Sequence, residues 1–237
     1  MDTYPIKMKI SVIIPAYNEE ESLDKTLDAI LASNYPNFEI IVIDNASTDK
    51  TSEIAKSKGV KVIYEERKGT MWACEAGRKV AQGEIIARLD ADCLPEKGWL
   101  SKGARWFADK KVSAVSGPYD FFDSPTIFRY FALGIQKYVY VPIDFFLSAL
   151  RIGGITIGGN TFMRASALEK INGFDTSITF YGDDTDVAKR LSATGKIIID
   201  VSLIHKSSAR RFKSEGTTKI FILYIFHFFR VMFIGKN

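Results

Sequence analysis

Glu84-Ile85-Ile86-Ala87-Arg88-Leu89-Asp90-Ala91-Asp92 is an apolar run that ends in two carboxylates one residue apart, followed by Cys93, Leu94 and Pro95. The run reads as a strand and the acids as its C-terminal edge. In open α/β sheets that edge faces the ligand crevice, where two such carboxylates can hold one hard divalent cation with phosphate oxygens completing its shell. The chemistry implied is cleavage of a nucleotide diphosphate. The same residues also suit an ordinary turn, with Asp capping a helix that Pro95 opens, so the flanking segments must decide.

Outward from this run, strand-like stretches recur at 9–15, 38–44, 60–65, 84–90 and 112–117, with helical patterns between them. This βαβα alternation predicts an α/β architecture with Rossmann-like layering. The first helix is the clearest, because Leu23, Leu27, Ile30 and Leu31 share one face while Glu20, Glu21, Asp24, Lys25 and Asp28 take the other. Beyond Gly117 the composition turns aromatic, from Phe121 through Phe146, with few charges. A glycine-rich stretch, 153–160, then leads into a strand, a helix near 165–171, Gly173-Phe174-Asp175 and a further helix from about Asp183.

The chain has 237 residues, 46% hydrophobic and 25% charged, which suits one large α/β domain or two small ones. A net charge of +4 is too small to imply nucleic acid, yet Lys206, Arg210, Arg211, Lys213 and Lys219 gather near the end and suit a phosphate or an anionic membrane surface. Cys74 and Cys93 form no CxxC pair, and the apolar run 10–14 is cut short by Pro15, so a reduced, cytoplasmic setting is expected. The segment 220–234 is apolar but spans only about 15 residues, with His227 and Arg230 inside it, against roughly 20 for a crossing. Its aromatics beside Lys219, Arg230 and Lys236 predict a helix lying at the inner face of the membrane. The alternative is a terminal helix packed on the domain or on an oligomer partner.

Several constellations can carry chemistry, each with a plainer reading. Pro15-Ala16-Tyr17-Asn18-Glu19 places backbone amides and the Tyr17 ring at the crevice mouth, or is a turn capped by Asn18. In the loop from Asp44 to Thr51, either Asp44 or the amide oxygen of Asn45 can accept N3–H of uracil, or the segment is an ordinary loop with a helix cap. Gly69 and Gly77 flank 70–76 after Arg67-Lys68, a loop that would bring backbone to a ribose or diphosphate, with Lys68 and Ala73 as contacts. Neither GxGxxG nor a P-loop occurs. Gly182-Asp183-Asp184-Thr185-Asp186-Val187 puts three carboxylates in one turn, where repulsion raises and the helix dipole lowers their pKa, leaving a general base or simple N-capping. His205 can complete a metal shell, and Lys206, Arg210 and Arg211 can neutralise a departing diphosphate, or all four belong to a structural, solvated strand end.

In this order and spacing, Pro15 to Glu19, Asp44 to Asp49, Asp90-Ala91-Asp92, Gly173-Phe174-Asp175, Gly182 to Val187 and His205 resemble the inverting family-2 glycosyltransferases of the GT-A fold, over about 9–212. The resemblance implies a three-layer α/β/α fold with a mixed sheet: 1–117 as the nucleotide-sugar part, 118–215 as the acceptor and catalytic part of the same domain, and 216–237 as an apolar C-terminal helix. It implies that Pro15, Tyr17, Asn45, Asp90 and their neighbours Ala16, Asn18, Glu19, Asp44 and Ala91 hold the nucleoside. Asp92, with Asp90 and His205, would bind Mg²⁺ or Mn²⁺, and Asp184, with Asp183 beside it, would be the base. The partners implied are a nucleotide-sugar donor, UDP-sugar favoured, and a glycan or lipid-linked acceptor. Two residues depart from the family's usual pattern, Asn45 for a second Asp and Asp183 for Glu, and no Gln-x-x-Arg-Trp motif occurs, which favours single transfer over polymerisation. The rival readings are an inactive sugar-nucleotide or glycan binding module, a pyrophosphorylase, for which the phosphate loop is missing, and a scaffold subunit of a membrane complex.

Overall fold

Ile10, Val12 and Ile14 point into one hydrophobic core and Ile13 into another, and all four are fully buried. A strand apolar on both faces needs helices on both sides, which makes β1 (Ile10–Ala16) the middle of the fold. The computed structural model describes residues 8–150, 152–178 and 181–234.

Helix α1 (Leu23–Leu31) follows β1, then β2 (Phe38–Asp44), α2 (Thr51–Ser57), β3 (Lys61–Tyr64), α3 (Thr70–Val80) and β4 (Ile85–Leu89). Strands β2 and β3 extend the sheet in parallel on one side of β1, and β4 returns to pair with its other side. The order of strands therefore reverses beside β1, the switch point at which α/β sheets bind ligands. A short strand β5 (Cys93–Leu94), helix α4 (Trp99–Ala104) and β6 (Val112–Ser116) come next, then β7 (Tyr119–Phe121). Helix α5 (Thr126–Ile135) runs through a π-helical turn into α6 (Val141–Ala149). β8 (Asn160–Arg164), α7 (Ala165–Lys170), α8 (Asp183–Ser192) and β9 (Lys196–Ile199) complete the main sheet, and β10 (His205–Ser207), α9 (Arg210–Glu215) and α10 (Thr217–Phe229) end the chain.

The main sheet has seven strands in the order β3-β2-β1-β4-β8-β6-β9, with β8 antiparallel to both neighbours. Helices α1, α2 and α4 pack on one face, α3, α7 and α8 on the other, giving the expected three layers around a mixed sheet. A second sheet, β5-β10-β7, joins the residue after Asp92 to the C-terminal part through Ser207↔Cys93 and His205↔Tyr119. Asn160 pins this junction, accepting from the Trp99 indole at 2.8 Å and donating to the Leu203 carbonyl at 2.7 Å.

Three local expectations change. The segment 70–76 is helix, not loop; Gly77 lets α3 approach the sheet, since a Cβ there would lie 2.7 Å from Ile43. Pro95 opens no helix, because Cys93 and Leu94 are drawn into the small sheet and α4 starts at Trp99. The strand end expected to carry His205 is divided in two: β9 stops at Ile199, where Asp200 accepts from the Ser202 amide at 2.9 Å and turns the chain, and His205 opens the separate strand β10. The apolar C-terminal helix is also longer than its composition implied. α10 continues through a π-helical turn over Arg230–Ile234, and the 18 residues of 217–234 have a mean hydropathy of 1.5, long and apolar enough to cross a membrane by length and composition, with 17% buried. Lys236 lies outside the described residues.

Gly103 of α4 faces the ring of Phe162, which a Cβ would approach to 2.5 Å. Gly103→Val should therefore cost about 1–3 kcal/mol by overpacking, a fall of roughly 2–12 °C in thermal midpoint for a domain of this size. An unchanged melting curve would contradict the tight α4 packing.

Candidate active site

The parallel register aligns Ala16 with Asp44 and Asp44 with Tyr64, so the loops after β1, β2 and β3 leave the sheet at one edge. They are laced together there. Asn18, in the left-handed region at φ 53°, accepts from the Thr48 amide at 2.8 Å, and the Glu19 amide donates to the Thr51 hydroxyl at 2.8 Å. Tyr17 is left 46% exposed at the mouth, with Lys68 donating to its hydroxyl at 3.1 Å and lying over its ring. Pro15 is the next-to-last residue of β1.

Other expected residues also take part in the framework of this edge. The Asn45 amide donates to the carbonyls of Glu65 (3.0 Å) and Arg67 (2.7 Å) and accepts from the Gly69 amide at 2.8 Å, so it tethers the loop before α3 rather than standing open to a base. Asp44 is buried and accepts from the Ser47 amide. The methyl groups of Ala16, Ala73 and Ala91 lie in the two cores, so these residues present at most backbone to a ligand. Sequence spacing could not reveal this, because it does not say which way a helix or strand turns each side chain.

Asp90 and Asp92 follow β4. Burial first, and then the charge of Asp90, push the Asp92 carboxyl up to about 6, against the opposing charge of Arg210. Tyr119 donates to Asp90 at 3.1 Å. Arg210 reaches across from α9, 3.2 Å from Asp92, and also grips Glu19 with both terminal nitrogens. Gly159 passes so close that a Cβ there would lie 2.2 Å from the Asp90 carboxyl carbon. Two carboxylate oxygen donors of this kind suit Mg²⁺ or Mn²⁺ whose other ligands are water and phosphate.

His205 does not assemble with them into a ready-made cage; among the described residues no group of three or more His, Cys, Asp or Glu side chains is so arranged. Its ring is 2% exposed and stacked at 5.0 Å on Tyr119, with Trp99 6.0 Å away. Burial pushes its pKa down to about 3, so the imidazole is neutral, and neither ring nitrogen has a hydrogen-bond partner among the described residues. Arg211 also parts from its neighbour, facing Glu215 and the Tyr224 hydroxyl.

The three acids at the head of α8 have three different environments. Asp186 is buried against Arg190 at 2.7 Å, and Asp183 receives a hydrogen bond from Arg88 at 2.8 Å. The Asp184 carboxylate accepts from the Thr185 backbone amide at 2.8 Å. Removal from water, and then the neighbouring Asp183, push its carboxyl up to about 7. A carboxyl titrating there is matched to proton abstraction near neutrality. It lines a small cavity with Arg88, Thr156, Gly158 and Phe174, and its charge reaches Tyr140, whose hydroxyl burial chiefly pushes up to about 12.

The comparisons with known proteins agree with this geometry. The family model described as Glycosyl transferase family 2 matches residues 11–172. The chain belongs to that family. It is 37% identical over 120 residues to glycosyltransferase AglE of Haloferax volcanii, covering 47% of this chain and 40% of that one. An uncharacterized glycosyltransferase of Rickettsia typhi is 30% identical over 213 residues, 88% of this chain and 66% of the relative. Among solved structures, the mannosyltransferase PcManGT of Pyrobaculum calidifontis, in complex with GDP-Man and Mn²⁺, superposes with a TM-score of 0.68 at 26% identity, covering 87% of this chain and 58% of that one. This family-2 chain thus has the GT-A fold and spans between two fifths and two thirds of the length of these relatives.

The residues that sequence reading missed are Arg88, Tyr119 and the Gly158-Gly159 turn. Arg88 did carry a signal: a charge inside an otherwise apolar strand is rarely buried without a partner. Since Asp183 and Asp184 repel, Asp183→Asn should move the Asp184 titration to lower pH, and the freed Arg88 acts in the same direction. Carboxyl carbon-13 resonances followed from pH 4 to 9 would check this; a midpoint that stays or rises contradicts the assigned cause.

Proposed function

We propose that this chain is an inverting glycosyltransferase that uses a divalent cation to move a sugar from a nucleotide-diphosphate sugar to an acceptor hydroxyl, at the cytoplasmic face of a membrane. The observation that carries the reading is Arg88, which lies 3.8 Å from Asp90 and 2.8 Å from Asp183 and so brings the strand-edge acids and the head of α8 to one cleft. A binding module has no need of an uncompensated carboxyl beside that cleft.

Tyr17 and Lys68 at the mouth suit the nucleoside, and Asp44 keeps UDP-sugar as the favoured donor, although PcManGT was solved with GDP-Man. Asp90 and Asp92 would hold Mg²⁺ or Mn²⁺, which supplies charge compensation to the diphosphate. Asp184 accepts the proton of the acceptor hydroxyl as that oxygen bonds to the anomeric carbon. The bond from that carbon to the diphosphate breaks, its electron pair leaving with the nucleoside diphosphate and the configuration inverting. Arg210, set against Asp92, supplies positive charge to the leaving group.

The membrane reading rests on the aromatic half. In 126–150 and 217–234 the only acidic residue is Asp144, which is buried and accepts from the Ile155 amide at 2.8 Å. The remaining surface is apolar or basic, with Ile127, Phe131, Phe145, Phe146, Phe226 and Phe229 each more than half exposed. Ile220, Val231 and Met232 are buried and Lys189 donates to the carbonyls of Val231 and Met232, so the helix is docked at both ends, as an in-plane helix would be. A lipid-linked acceptor would reach Asp184 from this side.

Thermal-shift titration with UDP-, GDP- and dTDP-sugars should show stabilisation by one donor class that depends on Mn²⁺. Asp184→Asn should keep that shift and lose turnover by about 10²–10⁴-fold, the usual worth of a general base. If the wild-type chain binds donor but releases no nucleoside diphosphate with any acceptor, the inactive binding module is the better reading. In flotation assays the wild type should rise with anionic vesicles and Phe226→Glu/Phe229→Glu should not; equal recovery would remove the membrane proposal.

A further inference from the structure

Arg88 has an unusual position for a cation. It is the fourth residue of β4, whose five residues are all buried, and it projects from the sheet face on which Ile86 packs against α3 and α8. Its side chain is 9% exposed. One terminal nitrogen donates to Asp183 at 2.8 Å, the other lies 3.8 Å from Asp90, and Nε is buried without a partner. Backbone closes over the group. A Cβ on Gly158 would meet the guanidinium at 3.4 Å and one on Gly159 would strike Asp90, so consecutive glycines fit both side chains at once.

Burying a guanidinium carries a desolvation cost that its ion pair only partly offsets, and an apolar side chain of similar volume often fills such a place at least as stably. Stability alone therefore does not account for an arginine here. Its geometry does more, because one planar fork reaches two carboxylates on different elements, which a lysine ammonium does not reproduce. Asp90 belongs to the donor side and Asp183 is the residue before Asp184.

We propose that Arg88 is a positioning residue that braces Asp90 against the head of α8, holding the donor and the base at the separation that transfer requires. The inference rests on the transferase reading above. In this role Arg88 acts through the two carboxylates. A misplacement of the order of 1 Å between reacting groups is enough for about a 100-fold loss of rate.

The test compares Arg88→Lys and Arg88→Gln with wild type in three measurements: thermal midpoint, Kd for UDP with Mn²⁺ by calorimetry, and kcat at saturating donor and acceptor. Arg88→Lys keeps the charge and loses the fork. The expected result is a folded protein whose Kd stays within threefold while kcat falls at least 30-fold, with Arg88→Gln lower still. Turnover of Arg88→Lys within threefold of wild type would overturn the proposal, since any buried cation would then serve. So would a parallel fall in kcat and nucleotide affinity, which would confine Arg88 to the donor side. If Arg88→Lys is unfolded at the assay temperature, Arg88 is a folding residue and the proposal fails. A wild-type chain without turnover defeats the transferase reading and this inference with it, whereas an active wild type with an unimpaired Arg88→Lys defeats this inference alone.

Discussion

The ion pair of Arg88 with Asp183 spans the packed interface between β4 and α8, and the charge balance of the cleft follows from it. A guanidinium withdrawn from water needs carboxylates close by. Asp183 meets that need, with Asp90 at longer range. Asp184, one residue on, has no cation in hydrogen-bond contact and lies next to a negative charge, so its proton is held up to about pH 7. Two adjacent aspartates therefore acquire different chemistry from their partners rather than from their own identity, the separation of roles by environment that acid–base sites depend on.

The second sheet brings Arg210 to Asp92 as the main sheet brings Arg88 to Asp183. Because β10 pairs with β5 and β7, the chain after Ser207 is led back over the strand-edge acids, and Arg210 lands on Asp92 and Glu19. The same pairing stacks His205 on Tyr119, whose hydroxyl donates to Asp90. A neutral imidazole with two unpartnered nitrogens is costly to bury, and it stands one ring behind an acid pair that favours positive charge. The strand-edge cluster is thus assembled from residues near 19, 90 and 210 only once both sheets are formed.

The aromatic half has a different physical basis. Helices α5, α6 and α10 are too apolar to face water comfortably and bury little of that surface in the domain. Their inward contacts are few but well placed. Val231 comes within 2.8 Å of where a Cβ of Gly182 would lie, and Tyr181 stacks on His227 at 5.4 Å. Gly182, at φ +85°, is the residue before α8. The apolar helix and the helix that carries Asp184 are therefore packed together, so whatever covers the exposed face of α10 lies close to the head of α8.

Periodicity and strand-edge chemistry were legible in the sequence because they are local. The continuous apolar runs of β1, β2 and β4, the amphipathic α1 and the acids at the ends of strands follow from the spacing of neighbouring residues, and the order of the motifs marked the family. What the sequence did not disclose was the choice of partners. That Asn45 ties down the loop before α3 and that Arg210 rather than Arg211 turns inward depend on groups tens of residues away. The sequence by itself determined a three-layer α/β chain with carboxylates at one edge of its sheet; only the tertiary structure decided which of them are neutralised, because desolvation and Coulomb energy are properties of three-dimensional neighbours, and Arg88 meets its acid 95 residues further along the chain.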